Sequence, residues 1–239
     1  MPTLLVPTLV MSTLKTHGAE QHPMYLLTQN GKMKKSQTSK YRIYNFGIPA
    51  YEDKNGKRTC LNADKCVVGC YARNGTYTWQ GTKDAYDRRL AVSKLSGFSE
   101  LMVLTVQHKS ELAKKKGMKT VVRIHDSGDF YSKKYFSSWI NIANQCPDVL
   151  FYGYTKMVSL VKRNATLIPT NLKLCFSFGG KEDRLIDVGT DFHSKVFKDA
   201  IPSDYADASH DDMILALGTN HKIGLMYHGP KKGDFGYKG

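Results

Sequence analysis

The chain has 239 residues, with 35 Lys and Arg against 21 Asp and Glu, and a formal charge of +14. Hydrophobic residues make up 41% and aromatic residues 11%, enough apolar side chain for a packed core, which excludes wholesale disorder. A pI near 9.5 attracts polyanions, of which nucleic acid is the commonest, although a charged surface also serves plain solubility.

Residues 1–22 read as a loose leader, residues 23–232 as a single α/β domain and residues 233–239 as a flexible tail. The run Leu4 to Met11 is interrupted by Pro7 and lacks a preceding basic region. It is far short of the roughly 20 residues that a membrane helix needs, so neither a signal peptide nor a membrane span is expected. Phe98 to about Lys116 reads as a helix that closes before Gly117. The lysines 114–116 at its end suit the helix dipole and read as a solvated terminus rather than a phosphate clamp.

Beyond that helix, short β-rich runs alternate with helical stretches. Thr120–His125 is followed by a helical Lys133–Gln145, then Val149–Thr155, Met157–Asn164 and Leu172–Phe178. A helical region around Lys181–Asp199, with a strand hidden near Lys195–Phe197, precedes a helical Asp211–Gly218 and a last strand at Ile223–Tyr227. The alternation predicts βα units and a mainly parallel sheet, and the nearly continuous apolar strands suit a sheet covered by helices. A full eight-unit barrel needs about 250 residues, so a partial (β/α) barrel or an open sheet is expected. The strand candidates end in polar or glycine-containing segments, and in parallel α/β folds ligands bind at that edge.

Five cysteines form an odd set, and Cys60, Cys66 and Cys70 fall within eleven residues. That pattern is unlike a secreted disulfide scaffold and points to a reducing compartment. Three thiolates from one short loop predict a metal or iron–sulfur site. A closed zinc site needs a fourth ligand, from Cys146, Cys175 or a histidine such as His125, whereas three ligands alone leave an open coordination position. Cys146 at a helix end and Cys175 in a strand also read simply as buried residues.

Four spaced motifs occur in one order: Cys60 to Tyr77 (C-x5-C-x3-CYARNGTY), Arg123-Ile-His-Asp-Ser-Gly-Asp-Phe, Phe151-Tyr-Gly-Tyr-Thr-Lys and Ile223-Gly-Leu-Met-Tyr-His-Gly. Together they resemble the bacteriophage "gene product 88" domain family over roughly residues 25 to 232. The layout is more distantly similar to radical S-adenosylmethionine (SAM) enzymes. In those enzymes a three-cysteine loop after the first strand holds a [4Fe–4S] cluster, and a Gly-Gly-Glu-like turn after the second contacts SAM. The cysteine spacing differs from that superfamily's usual C-x3-C-x2-C.

This resemblance implies a [4Fe–4S] cluster on Cys60, Cys66 and Cys70, with SAM against Ser127, Gly128, Asp129 and His125. The basic charge points to nucleic acid or a nucleotide as the substrate, and the phage family to the cytoplasm of the infected bacterial host. The alternative is a non-enzymatic iron–sulfur or zinc protein that binds nucleic acid or a host protein.

Gly128 would let a ligand approach the backbone, and Asp129 would accept from an ammonium group, whereas a strand end leading into a helix capped by Ser132 accounts for part of the same segment. Arg123 and Lys156 are charges beside apolar strands, which need an anionic substrate group or an internal partner such as Asp126. A histidine ordinarily titrates near neutrality, so His228 suits general acid/base work or a simple hydrogen bond. Asp211 and Asp212 read as the first turn of a helix, and Gly179-Gly180 is a weak phosphate cradle.

Overall fold

The computed structural model describes residues 26–227. The leader, the tail and His228 lie outside the described residues. Seven strands form one wholly parallel sheet that curls into a half-barrel. They are β1 (Tyr41–Phe46), β2 (Lys119–Ile124), β3 (Leu150–Thr155), β4 (Leu172–Ser177), β5 (His193–Phe197), β6 (Ala206–Asp207) and β7 (Lys222–Met226), in spatial order β1-β2-β3-β4-β5-β7-β6. The helices are α1 (Gly31–Ser36), α2 (Gln80–Ser93), α3 (Phe98–Lys114), α4 (Lys133–Gln145), α5 (Val158–Arg163) and α6 (Met213–Leu217).

The period-2 geometry of a strand explains why apolar residues stand at consecutive positions here, since both faces of the sheet are covered. Tyr44, Phe46, Val122, Ile124, Phe151, Leu172 and Phe176 point outward into a core shared with α2 to α5, around the fully buried Trp139. Their neighbours Ile43, Val121, Tyr152, Cys175 and Ile223 point inward, where Met213, Leu215 and Ala216 of α6 and Met33 of α1 fill the hollow. The ring is tied across its open side by Ser36, whose hydroxyl donates to the His210 carbonyl at 3.0 Å and accepts from the Asp212 amide at 3.3 Å.

The helix expected at Lys133–Gln145 is present with those bounds, and Ser132 caps it by accepting from the Tyr135 amide at 3.1 Å. The helical region expected around residues 181–199 is not a helix. It holds one 3-10 turn at Asp183–Leu185, then β5. Asp187 and Asp191 explain the difference, because the Asp187 carboxylate accepts from the Gly189 amide (2.9 Å) and the Asp191 carboxylate from the Asp187 amide (2.8 Å), side-chain bonds that compete with helix bonding.

Candidate functional site

The loop joining β1 to α2 carries all three clustered cysteines and contains only short 3-10 turns. It is fixed by bonds to several strand ends. Cys60 Sγ accepts from the Tyr51 amide at 3.3 Å, the Cys66 amide donates to the Gly179 carbonyl at 3.0 Å, and the Lys181 amide donates to the Asn62 carbonyl at 2.9 Å. The Asn62 side chain donates to the Lys156 carbonyl at 3.2 Å. The loop thus crosses the C-terminal rim of the half-barrel from β1 to β4. Beneath it lies a cavity of about 630 Å³ onto which Cys60, Cys66, Cys70, Arg123, residues 125–129 and Lys156 all open.

The cysteines are free thiols. Burial, the Asp129 carboxylate and Cys70 push the Cys60 thiol up, against the opposing pull of the Lys156 ammonium. Burial also raises Cys70. Both are therefore protonated at neutral pH, and ligation of a metal would release their protons. Among the described residues no three His, Cys, Asp or Glu side chains stand at metal-holding spacing, so the thiols share a cavity without forming a closed coordination shell. Cys146 lies in the outer core behind the sheet, on the other side from the cavity. Cys175 is fully buried in the inner core.

The turn after β2 contributes most of the opposite wall. His125 adopts a positive φ of 63° and is buried. Its Nε2 pairs with the Tyr135 hydroxyl at 2.8 Å, while Nδ1 has no partner among the described residues. Burial, helped by the adjacent Arg123 cation, pushes its pKa down to about 3, so the imidazole is neutral. The Asp126 carboxylate accepts from the Tyr86 hydroxyl at 3.1 Å and from Asn30 at 3.4 Å, and its carbonyl accepts from Tyr71. Gly47 is required beside it, since a Cβ there would stand 2.0 Å from Asp126 Oδ1. Ser127 Oγ and Asp126 Oδ1 are buried without partners among the described residues.

Two residues of this turn have internal duties that sequence did not reveal. Gly128 has φ +86°, and a Cβ there would lie 2.2 Å from Ile48 Cγ1. The space expected for a ligand is thus occupied by Ile48, whose amide also donates to the Ser127 carbonyl at 3.0 Å. Asp129 is buried and accepts from the Phe130 amide (2.7 Å), the Thr155 hydroxyl (2.7 Å) and the Lys156 amide (2.9 Å). It therefore ties the β2 turn to the end of β3.

Arg123 has an internal partner, but it is Asp212 rather than Asp126. The pair stands at 3.4 Å with both side chains buried. Asp211 accepts from the Met213 amide at 2.8 Å, as expected of a first turn, whereas Asp212 makes no capping bond and faces Arg123. Arg123 also donates to the Tyr71 hydroxyl at 3.2 Å. Tyr71 leaves 46% of its surface exposed while its hydroxyl end is buried. It begins a row that sequence reasoning missed, meeting Tyr77 edge-on (5.7 Å), which stacks on Tyr86 at 5.9 Å and 6°. Burial raises all three phenols, Tyr71 to about 12. The CYARNGTY segment was the available signal, but it does not disclose Tyr86 as a partner.

Lys156 Nζ donates to Ser177 Oγ at 3.0 Å and remains beside the thiols. The Gly179-Gly180 amides are not a phosphate cradle, because both donate to the Asp183 carboxylate at 2.8 Å.

The family model described as gene product 88 matches residues 24–234. The chain belongs to the gene product 88 family. No curated protein and no solved structure matches it. In this gene product 88 chain the described residues of the four motifs fall on the cysteine loop and on or beside β2, β3 and β7, and each motif contributes residues to the cavity lining. No helix among its described residues is long and apolar enough to cross a membrane.

Proposed function

We propose that this protein is an iron–sulfur phage enzyme of the radical SAM type that modifies nucleic acid or a nucleotide in the host cytoplasm. The observation that carries this reading is one of position. The loop bearing Cys60, Cys66 and Cys70 follows the first strand, the Ser127-Gly128-Asp129 turn follows the second, and both open on one cavity at the C-terminal rim. Three soft donors with no fourth cysteine on the same cavity suit a cluster that keeps one iron open. When bound, such a cluster supplies an electron and an open iron site for SAM.

The chain's own groups divide the remaining work. Cys60, Cys66 and Cys70 line the same cavity, and their thiols would lose their protons on ligation. Among the described residues, the unpartnered buried polar atoms of cavity-lining residues are His125 Nδ1, Asp126 Oδ1, Ser127 Oγ, Arg123 Nε and the Tyr154 hydroxyl, and the first three suit the polar groups of SAM. Asp129 acts by fixing the wall, not by direct contact. Lys156 offers a cation to a substrate phosphate, and Arg123, already paired, orients Tyr71. The tyrosine row and the exposed Trp79 are ring faces of the kind on which bases stack.

The test is iron, acid-labile sulfide and zinc in protein purified without oxygen, alongside Cys66→Ala. About four irons and four sulfides per chain, lost in the variant, and methionine release from SAM with dithionite are the expected results. Stoichiometric zinc without sulfide would overturn the radical reading and leave the metal as a staple in a binding protein.

A further inference from the structure

A second concavity, of about 470 Å³, lies on the outer side of the sheet between the β1 edge, α1 and the end of α3. Its walls carry four cations, Lys34, Arg42, Lys109 and Lys116, around Tyr44, and no carboxylate lines it. Arg42 and Lys109 are half-buried and both stand over the Tyr44 ring, at 5.8 Å and 5.5 Å from its centroid. Lys34 and Lys116 are exposed at the mouth. Among the described residues none of the four forms an ion pair, in contrast to Lys114, which pairs with Asp148 at 3.0 Å. The lysine run at the end of α3 thus divides: one member serves the helix surface and another the cleft.

Like charges held together at low exposure repel one another and attract an anion. Burial and the Arg42 cation hold the Lys109 ammonium below its ordinary value, a cost that a bound anion would remove. Four positive charges exceed what one phosphate group can neutralise and match successive phosphates of a chain. We propose that this cleft is a phosphate-binding site for a polynucleotide strand. The assignment takes from the proposed function only its nucleic-acid partner and is independent of the cluster. The cleft holds Arg42, near the start of β1, whereas the cysteine loop leaves the end of that strand. The six residues of β1 separate the two sites by about 20 Å, a span of a few nucleotides.

The experiment is a fluorescence-anisotropy titration of a short labelled single-stranded DNA oligonucleotide over a salt series. Arg42→Gln with Lys109→Gln should weaken binding about tenfold and reduce the slope of log affinity against log salt by about 1.4. Lys34→Gln with Lys116→Gln, both exposed and harmless to folding, should do likewise. Lys133→Gln with Lys134→Gln, on the exposed start of α4, removes the same charge and should weaken binding less than about twofold.

An equal loss in that control would reduce the effect to net charge and overturn the site. So would an absence of oligonucleotide binding by the unaltered protein, or charge-sensitive binding of ATP without the oligonucleotide. The same titration on Cys66→Ala separates the two ideas. Retained binding there upholds the cleft even where the metal assay defeats the enzyme.

Discussion

Arg123 of β2 and Asp212, just before α6, neutralise each other inside the half-barrel at 3.4 Å, 89 residues apart in sequence. Removing one member leaves the other as an uncompensated buried charge, which costs far more than the net value of the pair. Asp212→Ala should therefore destabilise the protein by about 3–5 kcal/mol in urea unfolding. Arg123→Met with Asp212→Leu should recover most of that loss. A single-variant loss below about 1 kcal/mol would show that water reaches the pair.

Gly128→Ala should cost about 1–3 kcal/mol, because a side chain there is strained at φ +86° and collides with Ile48. Ile48→Ala has its own cavity cost, but combining the two should be less damaging than their sum. Strict additivity in denaturant unfolding would mean that Ile48 is not what excludes the methyl group.

His125 predicts a pH dependence of stability. Its native pKa lies at about 3 against about 6.5 in the unfolded chain. Below about pH 6.5 the unfolded state takes up a proton that the native state refuses. Stability should then decline as pH falls from about 6.5 to about 3, by up to about 1.4 kcal/mol per pH unit, with no contribution above that window. His125→Asn, which does not titrate and tolerates a positive φ, should remove this share of the slope in unfolding measured across the range.

Asp183 satisfies the amides of both Gly179 and Gly180, and the Gly179 carbonyl in turn receives the Cys66 amide. Asp183→Ala should cost about 1–3 kcal/mol. It should also speed hydrogen exchange at the amides of residues 66, 179 and 180. Unchanged exchange at Cys66 would show that the cysteine loop does not depend on this turn.

The alternation of βα units and the rim position of the DSGD turn were legible because strand periodicity and turn chemistry are local. β1 was not, since Tyr41-Arg-Ile-Tyr-Asn-Phe mixes Arg42 and Asn45 into an edge strand, and only the pairing with β2 shows its role. The stretch around residues 181–199 misled because Lys181-Glu-Asp-Arg-Leu is helical in composition yet makes only a 3-10 turn. The cysteine loop announced itself by spacing. The partner of Arg123, the duty of Asp129 and the stacking of Tyr77 on Tyr86 depend on contacts between distant segments, which no window of sequence displays. Gly128 stood out in the sequence as a place for a ligand to approach the backbone, whereas its positive φ and its packing against Ile48 depend on a segment 80 residues away.

The bond between Ser36 and the Asp212 amide spans 176 positions. A growing chain emerging from the ribosome can lay down β1 to β4 long before the segment that closes the ring and neutralises Arg123 has been made. Closing so long a loop is slow and brings its reward only at the end. The rim cavity, whose walls include Ser209 and Tyr227, is therefore complete only when the last segment has been made, and until then the inner face of the sheet is open for other partners, including chaperones, to hold.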